Sequence, residues 1–83
     1  MIGYLVAEVE LNMPFAVVSE VKTGAALMRA QLAVKEEFSY DRISLTKTGA
    51  GKHYGTILAE FTCYTEDGDE EHRDILLTKV TIY

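Results

Sequence analysis

Residues 56–80, TILAEFTCYTEDGDEEHRDILLTKV, constrain the fold more than any other stretch of this chain. Residues 56–65 alternate, with Ile57, Ala59, Phe61 and Cys63 facing away from Glu60 and Thr62, which is the period of a half-buried strand. Asp67-Gly68 is a pair that closes two-residue hairpins, because both central positions of such a turn need positive φ. Beyond it, Leu76, Val80 and Ile82 make the inner face of a last strand. With Asp67 and Gly68 as the turn, Ala59 falls opposite Leu76, Ile57 opposite Thr78 and Cys63 opposite His72, which keeps one face buried. A chain built around this hairpin is committed to an antiparallel sheet.

The remaining segments supply the other strands and one helix. Residues 2–11 alternate, with Leu5, Ala7, Val9 and Leu11 on one face and Tyr4, Val6, Glu8 and Glu10 on the other, a half-buried antiparallel strand. Asn12-Met13-Pro14 interrupts it, since proline donates no ladder hydrogen bond and restricts the residue before it. Residues 15–21, FAVVSEV, have the β-branched content of a short strand paired back on the first, although Pro14 would serve equally as the first position of a helix; the strand reading is preferred. Thr23 then serves as N-cap for GAALMRAQLAVKEEF, a run of good helix formers with no proline and no glycine after Gly24. Residues 42–47 alternate again, with Ile43 and Leu45 inward. The expectation is one α+β domain over residues 1–83: a small, mostly antiparallel sheet of four to five strands with one main helix on one face, in the order β(β)αβββ.

On that helix Ala26, Leu27, Ala30, Ala33, Val34 and Phe38 form a broad stripe suited to the sheet, but Met28 and Leu32 lie on roughly the opposite side with Ala25 beside them. Two readings stand. Either Met28 and Leu32 sit under residues 12–22 or at the core margin, or they form a second interface across a two-fold axis.

With 83 residues the chain holds one hydrophobic core and cannot enclose a large substrate between lobes, so function is expected at the surface. Its 48% apolar content is generous for that size and favours a homodimer or a partner surface. Thirteen acids against eight bases give a net charge of −5, unevenly spread: −3 over residues 1–21, +3 over 22–53, −6 over 54–74 and +1 over 75–83. A net-acidic chain repels a polyanion, so nucleic acid is an unfavoured partner. One cysteine excludes an internal disulfide, and with two histidines it is a poor inventory for zinc. No segment approaches the ~20 apolar residues of a membrane span and no basic leader opens the sequence, which predicts a soluble, cytoplasmic protein.

Three motifs invite chemistry. TGAGKHYG, residues 48–55, resembles a phosphate loop, yet Thr46 stands where the first glycine of a GxxxxGK motif belongs and His53 where the hydroxyl belongs, and a strand follows rather than a helix. Its glycines fail the GxGxxG spacing too, since the last is at 55 rather than 54, and a flexible hairpin loop accounts for them. Lys47, Lys52, His53 and Tyr54 give that loop a basic, aromatic character, the alternative reading being a nucleic-acid-binding module. Cys63 opposite His72 suggests a minimal thiol enzyme, though a catalytic thiolate also needs oxyanion donors and enclosure. Glu66, Asp67, Asp69, Glu70 and Glu71 form an acidic prong that lacks the frame of a calcium loop.

The preferred functional expectation is a non-enzymatic protein-interaction domain without cofactor or metal. It meets a basic protein surface through Glu66, Asp67, Asp69, Glu70 and Glu71, with Met28, Leu32, Tyr64 and Tyr83 as desolvating anchors. In composition it resembles small acidic phage and mobile-element proteins that inhibit a host protein by occluding such a surface.

Overall fold

The computed structural model describes residues 2–11, 13–19 and 22–81. It contains β1 (Ile2–Glu8), β2 (Met13–Val18), α1 (Thr23–Glu37), β3 (Arg42–Ala50), β4 (Thr56–Tyr64) and β5 (Glu70–Thr81). The five strands form one antiparallel sheet in the order β2-β1-β5-β4-β3, with α1 on one face. The α+β class, the helix and the five-strand count match the sequence reading, and the ambiguous FAVVSEV segment is a strand from Phe15 through Val18. Val21, Ile82 and Tyr83 lie outside the described residues. Among the described residues no helix is long and apolar enough to cross a membrane.

Pro14 is tolerated because β2 is an edge strand, where a missing N–H costs no ladder bond, and the register slips between Val6 and Ala7 beside it. The other edge, β3, slips between Leu45 and Lys47, leaving Thr46 as a bulge.

The helix meets the sheet through Ala26, Ala30 and Val34, spaced four apart and wholly buried. Alanines there let the backbone approach closely, and the sheet answers with Val6, Phe61, Cys63, Ile75 and Leu77, all fully buried. Phe38 closes the end of the core edge-on against Phe15, ring centroids 5.6 Å apart. The helix begins one residue earlier than expected: Lys22 is the N-cap, and no side chain caps it, so Thr23 is already helical. It ends in a Schellman motif, the Tyr40 N–H donating to the Lys35 carbonyl at 3.0 Å and the Ser39 N–H to the Glu36 carbonyl at 3.4 Å, with Ser39 at φ 55°.

The β4–β5 hairpin departs from expectation by one residue. Its loop is Glu66, Asp67 and Gly68, not a two-residue turn. Thr65 and Asp69 close it: the Gly68 N–H donates to the Thr65 carbonyl, the Thr65 N–H to the Asp69 carbonyl, both at 2.9 Å, and the Asp69 N–H to Thr65 Oγ1 at 3.1 Å. Gly68 at φ 89° supplies the left-handed step of a type I turn followed by a bulge. The extra loop residue shifts the pairing, so Ala59 faces Ile75, Ile57 faces Leu77 and Cys63 faces Glu71. A slip of one residue turns every β5 side chain over. Ile75 and Leu77 therefore fill the core, and Leu76, expected inside, lies on the far side of the sheet. Leu45, also expected inside, is exposed, because the bulge and the outermost position carry it past the helix.

Candidate interaction surface

A helix of 15 residues covers only one face of a five-stranded sheet. On β1 the covered set is Tyr4, Val6 and Glu8, while Leu5 and Ala7 point the other way. Strand pairing extends that open face across the sheet. Val17, Leu5, Thr78 and Thr56 form one row, and Pro14, Ala7, Leu76, Leu58 and Gly49 form the next. Val9 continues the apolar patch, its N–H donating to the Asp74 carbonyl at 2.9 Å. Val17 (54% exposed), Val9 and Leu58 are open to solvent. The β3–β4 turn bends over this face, leaving a pocket of about 320 Å³ lined mainly by Val9, Leu58, Leu76, Thr56 and residues 50–53.

The open face is charged differently at its two ends. Toward the β4–β5 turn the rows become Asp74, Glu60 and Lys47, then His72 and Thr62, then Glu70, Tyr64 and Arg42. Toward the other end stand Lys52, His53 and Tyr54, all exposed. β5 has 12 residues, which at ~3.3 Å per residue matches the 40 Å long axis of the molecule, so the acidic turn and the basic turn lie at opposite ends of that axis.

The acidic prong is fixed in place. The Tyr64 hydroxyl donates to Glu70 Oε1 at 3.0 Å, and that bond raises the Tyr64 pKa, because it favours the neutral phenol. The Tyr40 hydroxyl donates to Glu71 Oε1 at 2.9 Å. Arg42 stacks over the Tyr64 ring at 4.7 Å. Of the residues expected at partner contact, the eight that are described do not form one patch. Glu66, Asp67 and Asp69 are at the turn, Glu70 and Tyr64 share the open face, and Glu71 lies on the helix side. Met28 (72% exposed) and Leu32 (61% exposed) are on the back of the helix, and the described residues among 12–22 do not cover them.

The proposed Cys63–His72 pair is not formed. His72 pairs with Thr62, on the opposite face of the sheet from Cys63, and sits 3.5 Å from Glu70. Cys63 is fully buried, and burial pushes its thiol up to about 11, the reverse of an activated nucleophile. The 48–55 stretch is no phosphate cradle: residues 48–50 are strand, and the Gly51 N–H is spent on the Thr56 carbonyl at 3.0 Å. No group of metal-ligating side chains is present among the described residues.

One cluster was not anticipated. Glu8 is 1% exposed, accepts the Leu11 N–H at 2.6 Å and lies 4.0 Å from Arg73 Nη1. Arg73 in turn donates from Nε to the Tyr40 hydroxyl at 2.8 Å and lies against the Phe38 ring at 4.0 Å. The signal was present: Glu8 shares the phase of Tyr4 and Val6, and Arg73 is the one lysine or arginine in the acidic segment 54–74. Comparison with known protein families, curated proteins and solved structures finds no match.

Proposed function

We propose that this chain is a non-enzymatic protein-interaction domain whose main contact surface is the uncovered sheet face. The observation that supports the reading is the apolar patch of Leu5, Ala7, Val9, Val17, Leu58 and Leu76, contiguous across four strands and left bare by the only helix described. Burying apolar side chains contributes roughly 25 cal/mol per Å², and a contiguous patch is the form in which a protein partner collects it. The acidic end steers: Glu66, Asp67, Asp69, Glu70 and Glu71 favour encounter with a basic protein surface, which a bound domain would occlude.

The test is a photo-cross-linking residue at position 58, with position 28 on the helix as comparison, irradiated in the native cell. Position 58 is expected to give discrete protein adducts, weakened when the five turn carboxylates are replaced by amides. Folded protein that gives no adduct from position 58 would remove the reading.

A further inference from the structure

We propose that the occupant of the open sheet face is a second copy of this chain, packed face to face about a two-fold axis that crosses the strands near Leu76. The inference rests on the reading of that face as a contact surface, and goes beyond it by naming what covers it.

Charge complementarity selects both the occupant and the axis. Along the strands the open face runs from an end where the acids Asp74, Glu60 and Glu70 stand with Lys47 and Arg42 at the β3 edge, through the apolar rows, to the turn that carries Lys52 and His53. A two-fold axis in the plane of the interface and across the strands reverses strand direction while keeping each strand over its own copy. It therefore sets the acidic end of one protomer over the basic turn of the other, with apolar rows against apolar rows. An axis along the strands would instead stack acids on acids, which costs free energy wherever they are desolvated. Lateral position agrees as well, because Glu60 is on β4 and the basic turn joins β3 to β4. Lys47 lies opposite Glu60 within the same protomer, but Asp74 in that row has no base paired opposite it in either neighbouring strand.

Area points the same way. Five strands at ~4.8 Å spacing and ~7 residues at ~3.3 Å give about 550 Å² in plan, so the whole face is needed to supply the ~800 Å² of accessible surface per partner typical of a stable complex. A partner of identical outline uses all of it. The pocket beneath the β3–β4 turn, about 320 Å³ and lined by Val9, Leu58 and Leu76, gives that face relief into which the partner's apolar side chains fit.

The test uses sedimentation equilibrium of the purified chain at up to ~100 µM. The expected mass is twice 9.3 kDa. Leu58→Glu is expected to raise the dimer Kd at least tenfold, about the loss that follows from burying a charge in an interface centre, while Met28→Ser on the helix leaves it unchanged. Should Leu58→Glu fold poorly, judged by circular dichroism, exposed rim charges carry the test. Lys52→Glu and Glu60→Lys are each expected to weaken self-association about fivefold. Mixed one to one, they are expected to recover a heterodimer: at one rim the carboxylate introduced at position 52 meets the ammonium introduced at position 60, and at the other rim the native pair is kept. A wild-type mass of one chain overturns the proposal, as does a dimer indifferent to Leu58→Glu but broken by Met28→Ser. A mixture that recovers nothing overturns the axis. A monomer that still gives protein adducts from position 58 in the cell sinks the second copy and leaves the interaction reading standing; a monomer without adducts sinks both.

Discussion

Glu8 illustrates how a single side chain sets the cost of the core. A carboxylate that is 1% exposed stays in place because the Leu11 N–H and Arg73 meet it, and Arg73 is itself held by Tyr40 and by the Phe38 ring. Removing the cation while keeping the acid leaves an uncompensated buried group, so Arg73→Met is expected to destabilise the fold by about 3 kcal/mol. Adding Glu8→Gln to that variant should return part of the loss, which urea denaturation of both variants will measure. Cys63 makes a different prediction. Its thiol titrates near 11 in the fold, above its ordinary value, so the folded state holds the proton more tightly. That contribution is fully present below the ordinary thiol range and is lost as pH rises toward about 11. Tyr40, raised chiefly by burial, acts in the same direction. The urea midpoint is therefore expected to fall between pH 8 and about pH 10.5, and to fall less in Cys63→Ala, which starts lower at pH 8 because of its cavity.

At the scale of elements, turns decided what the sequence left open. Alternation located four of the strands, β-branched content favoured a strand over a helix for the segment after Pro14, and the helix was legible from its composition, but periodicity cannot say which residue a turn consumes. The Asp67-Gly68 pair suggested a two-residue loop; Thr65, whose hydroxyl and backbone both bind across the turn, made it three, and the side chains of β5 changed faces with it. The Cys63–His72 pairing and the inward position of Leu76 fell with that one residue. Gly68→Ala tests the account: no atom lies within 4 Å of the added methyl, so the expected loss of about 1 kcal/mol is purely the cost of φ 89°. Gly51 is the opposite case, since an added Cβ would collide with the Thr56 hydroxyl and come within 2.8 Å of Thr56 Cβ. At the helix C-terminus Ser39 holds a left-handed position that glycine fills without strain, and Ser39→Gly is expected to raise stability by about 0.5–1 kcal/mol in thermal unfolding.

The molecule as a whole is an elongated body, 40 × 23 × 22 Å, with unlike charge at its ends. Of the segmental charges read from the sequence, the −6 over residues 54–74 anticipated the acidic tip, which β4 and β5 build, whereas the +3 over 22–53 is spread over Lys22, α1 and β3 and leaves Lys52 as the one lysine or arginine on the β3–β4 turn. The bare sheet face was less legible. Its residues are contributed by four strands in a register that only the folded turns define, so no local pattern marks Leu5, Val17, Leu58 and Leu76 as neighbours. Replacing Glu66, Asp67 and Asp69 with amides should leave the free energy of unfolding within about 0.5 kcal/mol, since these exposed side chains make no core contact, while retention on an anion exchanger falls sharply.

The two sheet borders have a consequence of their own. Pro14 with the neighbouring slip on one side, and the Thr46 bulge with Lys47 on the other, deny a further strand the straight, unbroken row of amide and carbonyl groups that lateral addition requires. Those borders disfavour lengthening into ribbons by edge-to-edge pairing of one copy with the next.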